Sequence, residues 1–161
     1  MNAIFLEAIG SITIEFALLE RELDSAISLA LVGNDLRQQP IAQIVCAELS
    51  FKASVHLLQS LLRFRLRNVD ETRLKEVSAK LFAAEVKRNV VVHSTWAEAE
   101  EGTVLRMKTT AKGHLKHQFE HLTLDDLRAT AKELHAAAED LMNFSLRALG
   151  VIPLESPTLS L

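Results

Sequence analysis

A guanidinium, an amide and an imidazole lie within six residues of one another in the run Arg88-Asn89-Val90-Val91-Val92-His93. On a helix at about 100° per residue, Asn89 and His93 fall about 100° and 140° from Arg88, one turn apart along one edge. Arginine offers planar, paired donors to a phosphate, and histidine is the side chain that titrates near neutral pH. These residue types and this spacing indicate a site that binds a phosphodiester and transfers a proton.

Two simpler interpretations of Arg88 compete with a functional site. On the same helical wheel, Arg88 shares an apolar stripe with five residues, which are Leu74, Val77, Leu81, Ala84 and Val92. A cation in such a stripe needs a partner, and Glu85, three residues earlier, predicts a structural ion pair. The other interpretation is chance, because a motif of so few residues carries little specificity.

The helical pattern fails between Ser94 and His121. Glu101-Gly102 indicates a turn, and the strand-favouring run from Thr103 to Thr110 is predicted to pair with Thr95 to Ala99 in a β-hairpin. Basic residues follow the turn with no acid among them, namely Arg106, Lys108, Lys112 and Lys116. They form either a phosphate-binding strip beside the motif or the basic half of cross-strand ion pairs with Glu98, Glu100 and Glu101.

Two further features of this segment have competing interpretations. Trp96, the only tryptophan, either stacks on a nucleic-acid base or packs the hairpin against the helices. His114, His117 and His121 would share one face of a helix and so offer a zinc site. The segment is short, and no acid or cysteine beyond Glu120 completes a ligand set. We therefore expect no metal here.

Helical periodicity organises the rest of the chain. The spacing of apolar residues predicts one helix from Phe5 to Ala30 that ends at Gly33, and a second from Ile41 to about Arg67. Asp70 is the expected N-cap of the third helix, which carries the motif. Thr123 and Asp126 form a capping box for the fourth, which Gly150 and Pro153 end. The expected fold is all-α, an antiparallel four-helix bundle with a small β-hairpin insertion between helices 3 and 4.

Length and composition are typical of one small domain. We predict a single helical domain over residues 1–153, with the insertion at about 94–121, and a flexible tail over 154–161. The net charge of −3 excludes a globally basic nucleic-acid binder, so any contact with RNA must be local. The single cysteine, Cys46, allows no internal disulfide and is expected in the core. No segment is typical of a membrane span or a signal peptide, which predicts a cytoplasmic protein.

The run Arg88 to Trp96, written Arg-Asn-x-x-Val-His-Ser-x-Trp, resembles the signature of HEPN-domain ribonucleases. The layout of Gly102 to Lys112 and of the terminal helix from Thr123 is similar to a group of bacterial HEPN-like proteins. The resemblance implies a homodimer in which two copies of the motif face each other across one cleft. It also implies RNA cleavage without a metal or other cofactor, with Arg88, Asn89 and His93 as the catalytic residues.

The expected function is thus a metal-independent endoribonuclease of toxin or defence type, which cuts RNA by attack of its 2′-OH. The expected substrate-binding residues are Arg106, Lys108, Lys112 and Trp96. An antitoxin or a modifying enzyme is a further possible partner. The alternative is a non-catalytic helical dimerisation module that binds a nucleotide, RNA or a protein in the same cleft.

Overall fold

A computed structural model of the chain describes residues 2–99, 102–111 and 113–152. These residues are mostly helical, with five helices and one three-stranded antiparallel sheet of strand order β1-β2-β3. The helices are α1 (Ala3–Val32), α2 (Gln39–Ala47), α3 (Phe51–Arg65), α4 (Glu71–Val92) and α5 (Leu124–Ala148). The strands are β1 (Thr95–Glu98), β2 (Thr103–Ala111) and β3 (Leu115–Thr123). The predicted tail, 154–161, lies outside the described residues.

The predicted helix ends that depend on local chemistry are confirmed. α1 ends before Gly33, whose φ of 63° is left-handed and costs a glycine little. The Asp70 carboxylate accepts a hydrogen bond from the Arg73 N–H at 2.9 Å, which caps α4. At the start of α5, the Thr123 Oγ1 accepts from the Asp126 N–H at 3.1 Å while the Asp126 carboxylate accepts from the Thr123 N–H at 2.8 Å.

The second predicted helix is wrong as a single element, because the chain makes two helices there. α2 ends at Ala47, and the Leu49 N–H donates to the Cys46 carbonyl in a tighter final turn. Ser50 then adopts an extended conformation, and its hydroxyl accepts from the Ala53 N–H at 3.3 Å. A serine with this geometry starts a new helix, so the cap divides the predicted span.

The hairpin is confirmed, and a third strand joins it. In the observed register Trp96 lies opposite Arg106, and Arg106 lies opposite Glu120. The segment considered as a short helix for the histidines is instead a bend at His114 followed by strand β3, which contains His117 and His121. His117 and His121 share one face of the strand, but at about 3.3 Å per residue they lie about 13 Å apart along it, too far to bind one metal ion together.

The described residues divide into two compact units. Of the described residues, the sheet unit comprises those within 2–19 and 82–137, and the helical unit comprises those within 20–81 and 138–152. α1, α4 and α5 each contribute residues to both units. The sheet unit contains the motif and buries apolar side chains that include Phe5, Ile12, Phe16, Ala84, Val91, Val104, Leu127 and Leu134. The helical unit buries Leu23, Ile27, Cys46, Val55, Leu62, Leu74, Leu81 and Leu141, among others.

Three contacts define the helical part of the sheet unit. Arg88 of α4 lies over the ring of Phe16 in α1, and Lys87 of α4 forms an ion pair with Glu133 of α5. His135 of α5 lies 3.0 Å from a carboxylate oxygen of Glu15 in α1. Within the described ranges, none of the helices has the length and apolar character that crossing a membrane requires.

Candidate functional site

Arg88 is half-buried and has two well-defined contacts within the sheet unit. Its Nη1 donates a hydrogen bond to the Asn89 Oδ1 at 2.9 Å. Its Cζ lies 5.0 Å from the ring centroid of Phe16, within the range of a cation–π interaction. The aromatic face partly offsets the cost of burying the cation, and the amide fixes one side of the guanidinium.

The structural ion pair expected between Glu85 and Arg88 does not form. Among the described residues no carboxylate lies within ion-pair distance of the Arg88 guanidinium. Phe16 attracts the cation, but an aromatic ring does not neutralise it. A half-buried arginine held in this way retains both its charge and spare donors for an anionic ligand.

The prediction that Val92 belongs to the buried apolar stripe of α4 is wrong. Val92 is 44% exposed, whereas its neighbour Val91 is 5% exposed and takes its place in the core. The buried stripe runs through Leu81, Ala84, Arg88 and Val91. Its spacings alternate between three and four residues and average 3.5 residues. That spacing drifts by about 20° per seven residues on a helix of 3.6 residues per turn, so the buried stripe moves from Val92 to Val91.

The other side of α4 carries a mixed apolar and polar surface, the motif face, formed by Val86, Asn89, Val90 and His93. On the helical wheel the centre of the motif face is about 150° from Arg88, which contacts α1. It is about 110° from Lys87, which contacts α5. Val86 is 62% exposed and His93 is exposed, while Asn89 and Val90 are half-buried. The motif face is thus accessible within the sheet unit.

His93 lies one turn beyond Asn89 at the end of α4. Its backbone N–H donates to the Asn89 carbonyl at 3.0 Å, which continues the helical pattern to the motif's last residue. No hydrogen bond joins its imidazole to another side chain in the part of the chain that the structure describes. The fold therefore joins Arg88 to Asn89 directly and places an accessible imidazole one turn beyond Asn89.

Trp96 holds the sheet against the end of the motif helix. Its Nε1 donates to the Val91 carbonyl at 3.0 Å, and the residue is half-buried. This carbonyl is one of the last in α4, which have no partner further along the helix. The contact agrees with the packing interpretation of Trp96, and it places β1 directly after the motif.

Arg106 is the most enclosed of the predicted phosphate-binding residues. Its side chain is 13% exposed, and its Nη2 forms an ion pair of 2.6 Å with Glu120 on β3. Its Nε and Nη1 are buried without a hydrogen-bond partner in the described residues. Cross-strand charge pairing thus occurs, but with a carboxylate of the third strand that the sequence pattern did not suggest.

The sheet has two chemically different faces. In the observed register, even-numbered residues share one face, called the basic face here for its cations Arg106, Lys108 and Lys116. The same face carries Trp96, Glu98, Thr110, Gln118, Glu120, Leu122 and the buried Val104. Odd-numbered residues form the opposite face, which includes Leu105, Met107, Leu115, His117, Phe119 and His121. The structure brings three predicted substrate-binding residues, Trp96, Arg106 and Lys108, to one face. The fourth, Lys112, lies outside the described residues.

The remaining candidates for chemistry show no assembled site. The described residues contain no group of three metal-ligating side chains, the three histidines of the sheet segment included. His117 contacts the Thr109 hydroxyl at 3.0 Å across the strands. Cys46 is buried as expected, and burial, followed by the nearby Asp24 carboxylate, raises the pKa of its thiol to about 11. A thiol with such a pKa is a poor nucleophile near neutral pH.

Sequence reasoning located the motif but missed the residues around it. Phe16 lies within the helix predicted from Phe5 to Ala30, and no local pattern connects it with a cation 72 positions later. Glu120 was missed as the partner of Arg106 for the same reason, since β3 was not predicted. Comparisons of the chain with protein-family models, curated proteins and solved structures gave no significant match.

Proposed function

We propose that the chain is a cytoplasmic, metal-independent endoribonuclease with a HEPN-like four-helix bundle and an active site built from Arg88, Asn89 and His93. The observation that carries the proposal is the state of Arg88. Its guanidinium is half-buried, hydrogen-bonded to Asn89 and without a carboxylate partner among the described residues. An arginine in these surroundings is available to a phosphate, and an accessible imidazole lies one turn beyond Asn89.

The proposed reaction uses a nucleophile that RNA itself carries. The 2′-oxygen attacks the adjacent phosphorus, the bond from phosphorus to the 5′-oxygen breaks, and the products have 2′,3′-cyclic phosphate and 5′-hydroxyl ends. His93 exchanges the proton, as base toward the 2′-OH or as acid toward the departing 5′-oxygen. Arg88 holds the phosphate and stabilises the charge that develops on it. Asn89 orients Arg88 through the hydrogen bond between their side chains.

A homodimer supplies both an acid and a base. Two motif faces related by a two-fold axis place two copies of His93 at one phosphate, one to remove a proton and one to donate it. The exposed side chain of Val86, on the same face, gives the interface an apolar contact beside the polar residues. Each Arg88 is hydrogen-bonded to Asn89 of a motif face, so the proposed dimer brings two cations toward one cleft, and a bound phosphate is expected to stabilise it.

The basic face of the sheet extends the proposed binding surface for RNA. Lys108 is exposed on it, and Lys116 of β3 adds a second cation on the same side. Trp96 connects this face to the end of α4, three residues after His93. A phosphate backbone that enters the motif cleft therefore meets further cations on the adjoining sheet.

The deciding experiment is cleavage of a mixed-sequence RNA in EDTA by the wild-type chain and by His93→Ala. We expect cutting without metal, cyclic-phosphate ends and loss of activity in the variant. Because His93 is exposed, the substitution should leave the fold intact, which circular dichroism checks. Lys75→Ala, an exposed change near the start of the same helix, is the matched control for surface effects.

The alternative function is a non-catalytic dimerisation module that binds RNA, a nucleotide or a protein at the motif face. A folded wild type that binds RNA without cutting it, and that loses binding in Arg88→Ala, would establish this alternative. A folded wild type that neither binds nor cuts RNA of any sequence tested would reject both RNA functions.

A further inference from the structure

Strand β3 is a long edge of the sheet, and its outer side pairs with no other strand of the described residues. It spans nine residues, and every residue from Leu115 to His121 is exposed. Leu115 and Phe119 are 67% and 62% exposed on one face of it. An edge strand offers unpaired backbone N–H and C=O groups to another strand, and proteins usually shorten, bend or interrupt such edges. β3 has neither proline nor glycine in its length.

The hydrogen-bond pattern identifies which residues of β3 face outward. The Ala99 N–H donates to the Thr103 carbonyl at 3.3 Å, so odd-numbered residues of β2 bond toward β1. Bonding direction alternates along an antiparallel strand, so even-numbered residues of β2 bond toward β3. Their partners in β3 are Lys116, Gln118, Glu120 and Leu122. The backbone groups of residues 115, 117, 119 and 121 therefore point to the free edge.

The charges of β3 are self-complementary about Gln118. Lys116 and Glu120 lie two residues on either side of Gln118, on the basic face. Lys116 has no ion-pair partner among the described residues, and Glu120, although paired with Arg106, keeps a side chain that is 52% exposed. A strand with this pattern matches a second copy of itself in antiparallel orientation, as a two-fold interface requires.

We propose that β3 pairs with β3 of a second copy of this chain, antiparallel and in the register that places the two Gln118 residues opposite each other. In this register Lys116 lies opposite Glu120 of the second copy, twice. His117 lies opposite Phe119 of the second copy, also twice, and these residues exchange backbone hydrogen bonds. A two-fold axis at Phe119 is also compatible with the hydrogen bonds, but it places Lys116 opposite Leu122 and loses both ion pairs.

The product is a continuous six-stranded sheet with a doubled basic face. Lys116 and Glu120 fall at non-hydrogen-bonded pairs, where facing Cα atoms are about 4.5 Å apart and side chains interact best. The pairing involves none of the motif-face residues, and it does not require that the chain cleave RNA. Trapping at residue 118 and cleavage of RNA therefore test the two proposals separately.

Disulfide trapping tests the register directly. In the proposed pairing the two copies of residue 118 face each other at a separation within the range of about 4.4–6.8 Å that a disulfide bridges. Native Cys46 is buried and does not compete. We expect Gln118→Cys to form an interchain disulfide under mild oxidation at least about tenfold faster than Phe119→Cys or the α5 surface variant Ala136→Cys, because pairing raises the local thiol concentration. Equal rates at the three positions, or fastest trapping at Phe119→Cys, would overturn the register.

A second pair of variants tests the interface without a crosslink. Phe119→Pro removes an outward N–H that β2 does not use, so the sheet should persist while pairing is lost. Lys116→Glu should weaken the β3 pairing and shift the largest species in sedimentation velocity to a smaller one, whereas Lys108→Glu, the same charge change on β2 of the same face, should not. A wild type that sediments as a monomer at all concentrations rejects the pairing. So does trapping of Gln118→Cys in cells with a different protein in place of its own copy.

Discussion

The two ends of α4 use the same residue type in opposite ways. Arg73, near the start, bonds to Glu76 at 3.1 Å and to Asp140, and these carboxylates raise the pKa of its guanidinium. Arg88, near the end, has an amide and an aromatic ring as its described contacts. Arg73 has its counter-ions within its own unit, whereas Arg88 has none among the described residues. An arginine is therefore assigned to structure or to binding by its counter-ions, and not by its position on an apolar stripe.

The largest expected effect separates these two arginines by activity. Arg88→Ala should lower RNA cleavage by about 10²- to 10⁴-fold, because it removes the group that stabilises charge on the phosphate. Arg73→Ala should change cleavage by no more than a few fold. Initial rates on one fluorescent RNA, at substrate concentrations well below KM, measure both. Equal losses in the two variants would mean that Arg88 acts through the fold, and the comparison would fail.

Stability should show the reverse order. Arg73→Ala should lower the free energy of unfolding by about 1–2 kcal/mol, since it removes one of the two cations on Asp140 and a partner of Glu76. Arg88→Ala should cost less than about 1 kcal/mol, mainly through the lost contact with Phe16. Urea denaturation followed by circular dichroism gives both values. A larger cost for Arg88→Ala would identify it as the structural residue.

The ion pairs of Asp140 with Arg73 and Lys80 make the stability of the fold depend on pH. Hydrogen bonds from Lys80 first, and then from Arg73, lower the pKa of Asp140 below its usual value of 3.8. A lowered pKa in the folded state stabilises the protein fully above pH 3.8, and this contribution is lost as the pH falls through the folded pKa. Both cations are more than a third exposed, so the expected contribution is only about 1 kcal/mol. Urea denaturation at several pH values between about pH 5 and pH 2 measures how the free energy of unfolding falls with pH. Asp140→Asn should remove the part of this fall that comes from Asp140, whereas Asp125→Asn should leave it unchanged.

The smallest expected effect is at Arg106. Arg106→Met keeps an unbranched apolar stem and removes two buried donor atoms that have no partner among the described residues. That gain offsets the lost ion pair with the half-exposed Glu120, so stability should change by less than about 1 kcal/mol in either direction. Thermal unfolding measures it. A loss of several kcal/mol would show that the ion pair dominates, whereas unchanged RNA binding would remove Arg106 from the proposed binding surface.

The sequence predicted best those features that depend on neighbouring residues. The caps at Asp70 and Thr123, the stop at Gly33 and the hairpin of β1 with β2 all follow from interactions within a few positions. Ser50 was the local signal for the division between α2 and α3, but the apolar pattern on both sides of it conceals the cap. The apolar periodicity alone therefore did not reveal where α2 ends and α3 begins.

Features that depend on distant residues were beyond the sequence pattern. β3 exposes both faces along most of its length, so it lacks the alternation that marks a half-buried strand. The contact between Arg88 and Phe16 joins two helices, and only the fold brings these residues together. The motif could therefore be located by its letters, whereas the absence of a carboxylate at Arg88 in the described residues could not be predicted.

Trp96 provides the protein with a built-in optical probe. It is the only tryptophan, and the chain contains no tyrosine, so excitation near 295 nm reports on this one indole. Its ring bridges the end of α4 and the sheet through the bond to the Val91 carbonyl. Emission wavelength and quenching should therefore follow events within a few residues of His93, such as occupation of the motif face, without any label added to the chain.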